Sequence, residues 1–257
     1  MSPRERISQA IRAAAAGGEP ALLAYLTAGY PQREKFREHV RALAAGADVV
    51  EIGVPFTDPM ADGVTIQRAS LAALAQGVTL EWILAELEEI RGVSAPLLLM
   101  SYLNPLLAFG VARLAQRAAR AGVAGFIVPD LPLDESSELR AALDAEQLAL
   151  VQMVTPVTEP ARLRQLCAGS QGFVYAVTMA GTTGKHVAVP DEVLSYLGRV
   201  RADSPIPVCA GFGIRSREQV QRLRGHVDGV VIGSALVEVL ERGENPTQWL
   251  QMLRSDV

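Results

Sequence analysis

Short apolar runs of β-type composition recur eight times along the chain, and segments with helical periodicity separate them. The helix predicted over residues 33–46, for example, places Phe36, Val40 and Leu43 on one face before Gly46 ends it. Strands that alternate with helices pair in parallel through right-handed crossovers. The apolar runs cover 21–29, 48–54, 96–102, 125–130, 149–156, 172–178, 207–213 and 229–235, and further helical segments cover about 134–146, 159–168, 190–202 and 216–224.

Eight such units in 257 residues match the size of a (β/α)8 TIM barrel. We therefore predict one α/β domain over 1–257, with an extra helix at the amino terminus, another within 63–95 after strand two, and a short helix after strand eight. A doubly wound open sheet is the alternative, although such sheets usually have fewer strands. The barrel predicts that functional residues lie at the carboxyl ends of the strands.

Charge and composition narrow the class of ligand. The net charge is -4 without basic clusters, which argues against nucleic acid or an acidic membrane surface as a partner. No apolar run has the length of a membrane span, and the amino-terminal segment has no signal-type apolar core, so we expect a cytoplasmic protein. Metal-type spacing is lacking among the two cysteines and three histidines, and no metal is predicted. These residues are Cys167, Cys209, His39, His186 and His226.

Three carboxylates follow one another at the end of the second predicted strand. The alternation of DVVEIGV puts Glu51 on the inner face, where burial without a basic partner raises a carboxyl pKa and suits it to proton transfer. Pairing with a buried arginine is the alternative role for Glu51. Asp62 is either a substrate ligand at the barrel mouth or the cap of a helix that begins near Val64. Asp58 is favoured as a turn or surface residue.

Glycine turns after strands seven and eight predict a phosphate site. Gly211 and Gly213 follow strand seven, and Gly233 and Ser234 open a short helix after strand eight, the usual phosphate position in such barrels. The glycine-rich loop 180–186 is either a lid, closed with the help of Thr183 and Gly184, or an ordinary loop. The aromatic residues at strand ends are either pocket walls or core: Tyr25, Tyr102, Tyr175 and Phe212.

Several motifs, in order and spread over nearly the whole chain, resemble those of the tryptophan synthase α subunit family. The longest and most specific is EIGVPFTDPMADGVTIQRA (51–69). The others are LTAGYP (26–31), LMSYLNP (99–105), YAVTMAGTTG (175–184), GFGIRS (211–216) and GSALVE (233–238). The resemblance implies retro-aldol cleavage of indole-3-glycerol phosphate to indole and D-glyceraldehyde 3-phosphate, without a cofactor in this chain.

The resemblance also implies a role for individual residues. Glu51 is the general acid and base, and Asp62 binds the indole N–H. The phosphate site comprises Gly184, Gly213, Gly233 and Ser234, and the pocket walls comprise Tyr102, Tyr175, Thr183 and Phe212, with Tyr25 where the family often has Phe. A β subunit that carries pyridoxal phosphate is the implied partner in an α2β2 tetramer, contacted through the loop of Asp58 and Pro59 and through the lid at 179–189. The lid sequence, Met179 to Lys185, departs from the commoner family pattern.

Three alternatives remain open at this point. A class I aldolase would need a Schiff-base lysine at a strand end, and the chain has only Lys35 and Lys185. A non-catalytic barrel could serve as an activating subunit, although Glu51 and Asp62 are both present. A stand-alone indole-3-glycerol phosphate lyase would share the same chemistry without a β subunit.

Overall fold

The chain forms a closed parallel barrel. The computed structural model describes residues 1–178, 189–211 and 213–254, and in these ranges eight strands pair in sequence order from β1 round to β8, which pairs back with β1. The closed order confirms the predicted TIM barrel and excludes the open sheet. The strands are β1 Ala21–Thr27, β2 Val49–Gly53, β3 Leu97–Met100, β4 Val123–Ile127, β5 Ala149–Val154, β6 Val174–Val177, β7 Val208–Gly211 and β8 Gly229–Ile232.

Helices follow the strands and surround the barrel. As predicted, one helix precedes β1, extra helical length separates β2 from β3, and a short helix follows β8. The helices are α1 Pro3–Ala16, α2 Phe36–Gly46, α3 Val64–Ala75, α4 Leu80–Glu88, α5 Leu103–Phe109, α6 Val111–Arg120, α7 Ser137–Ala145, α8 Pro160–Gly169, α9 Asp191–Asp203, α10 Arg217–Leu223, α11 Ser234–Glu241 and α12 Pro246–Arg254, with 3-10 turns at Arg33–Lys35 and Leu133–Glu135.

Each predicted strand extends one to three residues beyond the carboxyl end of the observed one. Ala28, Val54 and Val128 show the reason, because they lie past the strand ends and are still buried. The loops that fold over the barrel mouth cover these residues, so the apolar run continues where the hydrogen-bonded ladder has stopped. Apolar composition reports burial, whereas strand assignment requires pairing.

Helix α1 closes the amino-terminal end of the barrel. Ser2 caps it in a reciprocal capping box with Glu5, and its Ile7 and Ile11 are fully buried among the residues that fill the lower barrel interior, including Val49 and Phe173. A second, larger apolar cluster fills the space between the sheet and the outer helices. Because the amino-terminal end is closed in this way, a functional site is expected at the opposite end of the barrel, where the strands have their carboxyl ends.

Within the described residues, no single helix is long and apolar enough to cross a membrane; only α3 and α4 together reach that length and composition, and they meet at 85°. The same residues contain no cluster of three or more histidine, cysteine or acidic side chains arranged to hold a metal ion.

Candidate active site

Glu51 lies on the inner face of β2, close to its carboxyl end. It stands in register with Tyr25 of β1 and Leu98 of β3, and only 1% of its surface is exposed. Its neighbours Val50 and Ile52 pack outward in the cluster beneath the helices. The alternation of the strand therefore places the carboxyl group inside the barrel, as the period of two predicts.

The Glu51 carboxyl group has no positively charged partner among the described residues, and its Oε2 makes no hydrogen bond. Burial, and to a smaller extent the nearby Asp62 carboxylate, together raise the pKa of Glu51 to about 8. The alternative of a structural ion pair with a buried arginine is wrong. At neutral pH Glu51 holds a proton that it can transfer.

Asp62 lies in the loop that leads from β2 into α3. Its backbone N–H donates to the Pro59 carbonyl at 3.1 Å, and its own carbonyl accepts from Gln67 Nε2 at 2.8 Å. The cap of α3 is Gly63, and no side chain caps this helix end, so the alternative role of Asp62 as the cap is wrong. Its carboxyl group instead lines a cavity together with that of Glu51.

Tyr102 supports the Asp62 loop from the end of β3. Its hydroxyl accepts from the Ala61 N–H at 2.8 Å, and its ring stacks on Phe56 with centroids 5.4 Å apart. Burial raises the pKa of Asp62 to about 6, and a hydrogen bond from the Tyr102 phenol opposes that rise. Two neighbouring carboxyl groups thus have unequal pKa values, and at neutral pH Asp62 is ionised while Glu51 is protonated, which suits them to different tasks.

The cavity at the barrel mouth brings together residues from loops and strands that are distant in sequence. Tyr25 and Tyr175 are buried and both line the cavity, so these two tyrosines are part of the pocket wall. Tyr102 does not line the cavity itself but is hydrogen-bonded to Asp62, which does. The cavity is lined by Tyr25, Glu51, Ala61, Asp62, Gly63, Ile66, Met100, Met153, Tyr175, Val177, Gly211, Gly213, Val231, Gly233 and Ser234.

The two glycine turns meet on one side of this cavity. Gly213 has a φ of 68°, a conformation in which a side chain is strained, and Gly233 is the cap of α11 without a side-chain capping bond. Ser234 begins the helix beside them and lines the cavity with both glycines. An uncapped helix amino terminus with open backbone is suited to an anion such as phosphate.

Apolar lining residues were missed in the sequence. Met100, Met153, Val177 and Val231 come from β3, β5, β6 and β8, and they contribute to the cavity wall. Inward alternation near the end of each strand was the available signal, but such residues are indistinguishable in sequence from the packed interior below them. The sequence did not indicate that Ile66, on α3, lines the cavity, because helical periodicity alone does not show which face of a helix lies over the barrel mouth.

The remaining predicted residues fall in other places. Asp58 is exposed and accepts a hydrogen bond from the neighbouring Thr57 hydroxyl, as expected of a turn residue. Lys35 lies in an outer 3-10 turn, so within the described ranges no lysine lines the cavity. Thr183, Gly184, Phe212, Lys185 and all of the lid except its last residue, 189, lie outside the described residues.

A closed eight-stranded barrel with two carboxyl groups of unequal pKa at its mouth, beside an uncapped helix terminus, defines an enzyme of the TIM-barrel class. Comparison with known proteins gives the family. The sequence profile of the "Tryptophan synthase alpha chain" family matches residues 11–256. The chain belongs to the tryptophan synthase alpha chain family, which confirms the resemblance, and it is an enzyme of the lyase class.

Individual relatives agree with this assignment over nearly their full length. The tryptophan synthase alpha chain of Nitratidesulfovibrio vulgaris strain Hildenborough is 46% identical over 248 residues, covering 96% of each chain. That of Bacillus mycoides strain KBAB4 is 47% identical over 233 residues, covering 90% of each. A chain in a crystal structure of tryptophan synthase from M. tuberculosis superposes with a TM-score of 0.87 at 36% identity, covering 96% of both chains. The alpha chain from Legionella pneumophila subsp. pneumophila gives 0.84 at 30% identity, covering 96% and 94%.

Proposed function

We propose that this chain cleaves indole-3-glycerol phosphate to indole and D-glyceraldehyde 3-phosphate, with Glu51 as the acid and base. The observation that carries the proposal is a buried, unpaired Glu51 carboxyl that shares one cavity with an ionised Asp62. A proton donor and a fixed negative charge are the two groups that this retro-aldol reaction requires.

Glu51 acts twice in the proposed reaction. Its carboxyl group first donates a proton to C3 of the indole ring, which leaves a positive charge on the ring nitrogen. The resulting carboxylate then accepts the proton of the glycerol hydroxyl next to the bond that breaks. The O–H electron pair forms the carbonyl of glyceraldehyde 3-phosphate, the carbon–carbon bond breaks, and its electrons restore the aromatic indole. Glu51 ends protonated, as it began.

Asp62 stabilises the charge that develops between these two steps. Its carboxylate accepts a hydrogen bond from the indole N–H and lies beside the positive nitrogen. The phosphate group is bound by Gly213 in the loop after β7 and by Gly233 and Ser234 at the start of α11, and the indole ring lies between Tyr25 and Tyr175. Thr183, Gly184, Phe212 and Tyr102 complete the proposed substrate contacts.

A β subunit is the proposed partner, in an α2β2 tetramer, with pyridoxal phosphate bound by that subunit and not by this chain. Exposed apolar side chains at the barrel mouth support a docking face there. Met60 is 88% exposed in the loop after β2, and Val157 is 75% exposed after β5. Indole released at the mouth would leave the barrel on the side of the partner.

A cleavage assay tests the reaction and its acid. Purified chain is incubated with indole-3-glycerol phosphate, and indole and glyceraldehyde 3-phosphate are measured separately, with and without a β subunit. We expect Glu51→Gln to lower kcat roughly 10²–10⁴-fold, because the amide cannot exchange the proton. Asp62→Asn should lower it roughly 10–10²-fold.

Asp58→Asn is the matched control for the assay without the β subunit, because it changes an exposed carboxylate of the same loop. Near-normal turnover of Glu51→Gln would show that another group transfers the proton. Full activity that no β subunit alters would favour the stand-alone lyase. No cleavage by the unsubstituted chain under either condition would favour the non-catalytic subunit.

A further inference from the structure

Glu238 lies on the same face of α11 as Ser234, one turn further along the helix. Both of its carboxylate oxygens accept hydrogen bonds from Arg215: Nη1 donates to Oε2 at 2.7 Å and Nη2 to Oε1 at 2.9 Å. The Thr65 hydroxyl donates to Oε1 at 3.5 Å. This arrangement uses the bidentate geometry that makes arginine–carboxylate pairs directional.

The three side chains belong to the three segments that surround the glycine side of the cavity. Arg215 follows Gly213 in the loop after β7, Glu238 is on the helix that begins at Ser234, and Thr65 is in the first turn of α3, just after Asp62. One carboxylate therefore connects both glycine turns to the segment that carries a catalytic group.

The charges of the pair are unusual for a phosphate site. A carboxylate one turn from Ser234 repels a phosphate dianion, and an arginine nearby would normally bind the anion itself. Here the Arg215 guanidinium holds the pKa of Glu238 below its usual range, while Glu238 raises the pKa of Arg215, so both remain charged and directed at each other. Nη1 and Nη2 of Arg215 are therefore already engaged with the Glu238 carboxylate.

We propose that Arg215 and Glu238 are positioning residues for the phosphate group. Their pairing holds the loop of Gly213 and the amino terminus of α11 in a fixed position relative to each other. The inference rests on the proposed function, because it concerns how the phosphate of that substrate is held. Neither residue contacts substrate. Their pairing fixes the backbone N–H groups that do, and fixed donors bind without paying the cost of being ordered.

Glu238→Ala distinguishes positioning from simple electrostatics. Removal of a negative charge near the site would tighten phosphate binding if charge alone mattered. Positioning predicts the reverse: KM for indole-3-glycerol phosphate and Kd for inorganic phosphate should both rise about three- to fivefold, the size expected for loss of a partly exposed pair. The kcat should stay within about twofold, because Glu51 and Asp62 are unchanged.

Charge reversal adds a rescue test. Arg215→Glu alone places two carboxylates together and should raise KM at least as much as Glu238→Ala. The double variant Arg215→Glu, Glu238→Arg restores a pair of opposite charges, and KM should return to within about twofold of the unsubstituted chain. If Arg215 bound phosphate directly, the double variant would not recover, and the proposal would be overturned.

Glu86→Ala is the matched control. The Arg37–Glu86 pair joins α2 and α4, with an N–O distance of 2.8 Å and side-chain exposures of 45% and 24%, compared with 40% and 28% for Arg215 and Glu238. This variant should leave KM and phosphate binding unchanged. If KM rises equally in Glu86→Ala, the effect comes from a general loss of stability and the proposal is refuted. Unchanged or tighter phosphate binding in Glu238→Ala would also refute it.

Phosphate binding is measured without turnover, from the rise in thermal unfolding temperature with inorganic phosphate at constant ionic strength. This readout separates the two proposals. If the unsubstituted chain cleaves no indole-3-glycerol phosphate, the proposed function fails, and the order of phosphate affinities among the variants still tests the pair. If cleavage is normal but Glu238→Ala binds phosphate as the unsubstituted chain does, only the positioning role fails.

Discussion

The protonation of Glu51 is determined by the groups that lie around its carboxyl group. The side chain is buried at the level of Tyr25 and Leu98, and within the described part of the chain neither a cation nor a hydrogen bond to Oε2 compensates its charge. A buried carboxyl group of this kind is more stable when it is protonated. At a pH at which the same group is ionised in the unfolded chain, this preference disfavours folding. The property that supports proton transfer therefore lowers stability at high pH.

The first prediction concerns the stability of Glu51→Gln as a function of pH. The pKa of Glu51 is about 8 in the folded protein and 4.5 as an unperturbed group, so the folded chain binds the proton more tightly. This contribution to the free energy of unfolding is fully present below pH 4.5 and is lost as the pH rises to about 8. Glutamine cannot ionise, so the substitution should be near neutral at pH 4.5 and stabilising by on the order of 4 kcal/mol above pH 8.

Urea unfolding at a series of pH values measures the difference between the variant and the unsubstituted chain. Asp58→Asn, at an exposed position, should show no comparable gain as the pH rises. A gain from Glu51→Gln of equal size at pH 5 and pH 9 would mean that packing, and not ionisation, is responsible.

At the scale of elements, two tyrosines on different strands of the barrel are accommodated in the same way. Tyr25 of β1 pairs in register with Glu51, and Tyr175 of β6 pairs with Cys209. Each phenol leans along the strand direction over the residue two positions further on the neighbouring strand, and that residue is glycine in both cases. A Cβ at Gly53 would lie 2.1 Å from the Tyr25 hydroxyl, and one at Gly211 would lie 2.6 Å from that of Tyr175.

We predict that Gly53→Ala lowers the free energy of unfolding by about 1–3 kcal/mol, because the added methyl group overfills the space that the Tyr25 ring occupies. Cleavage activity should fall with it, since Tyr25 lines the cavity. The matched control is Gly198→Ala on α9, where a Cβ meets nothing within 4 Å. That change should stabilise the chain by about 0.5–1 kcal/mol through helix propensity. Equal thermal stability of the two variants would contradict the packing argument.

At the scale of the whole molecule, the two ends of the barrel differ in kind. The amino-terminal end is closed by α1, and Arg254 of the last helix, α12, is hydrogen-bonded to Asp48 just before β2. We propose on this basis that residues 1–257 form one domain. The carboxyl-terminal end holds the cavity, and exposed apolar side chains occur in segments that follow strand ends: Met60 after β2, Leu107 after β3 and Val157 after β5.

The last prediction tests the proposed docking face. Met60→Glu should weaken association with a β subunit by about tenfold, because a charge would be desolvated without a partner at the interface. Titration of the chain against a β subunit, followed by indole formation, measures the affinity. Met252→Glu on α12 is the control: it is also an exposed methionine, at 57%, near the closed end. Equal weakening by both substitutions would place the partner elsewhere or show a nonspecific effect.

Much of this architecture could be predicted from periodicity. Alternating strand and helix segments determined the barrel, the period of two in β2 determined that Glu51 faces inward, and the glycine turns after β7 and β8 indicated the segments around the proposed phosphate site. These are local properties, because each depends on spacing within one element and on the rule that parallel strands end on the same side.

Only the tertiary structure decided the rest. Whether Asp62 capped a helix or entered the cavity depended on Gly63, which takes the cap, and on Tyr102, which comes from another strand. The pairing of Arg215 with Glu238 likewise joins segments that are adjacent only when the barrel closes. The sequence by itself determined which residues face inward, since that follows from backbone geometry; burial, pKa and pairing were decided by the fold, since they depend on neighbours that are distant along the chain.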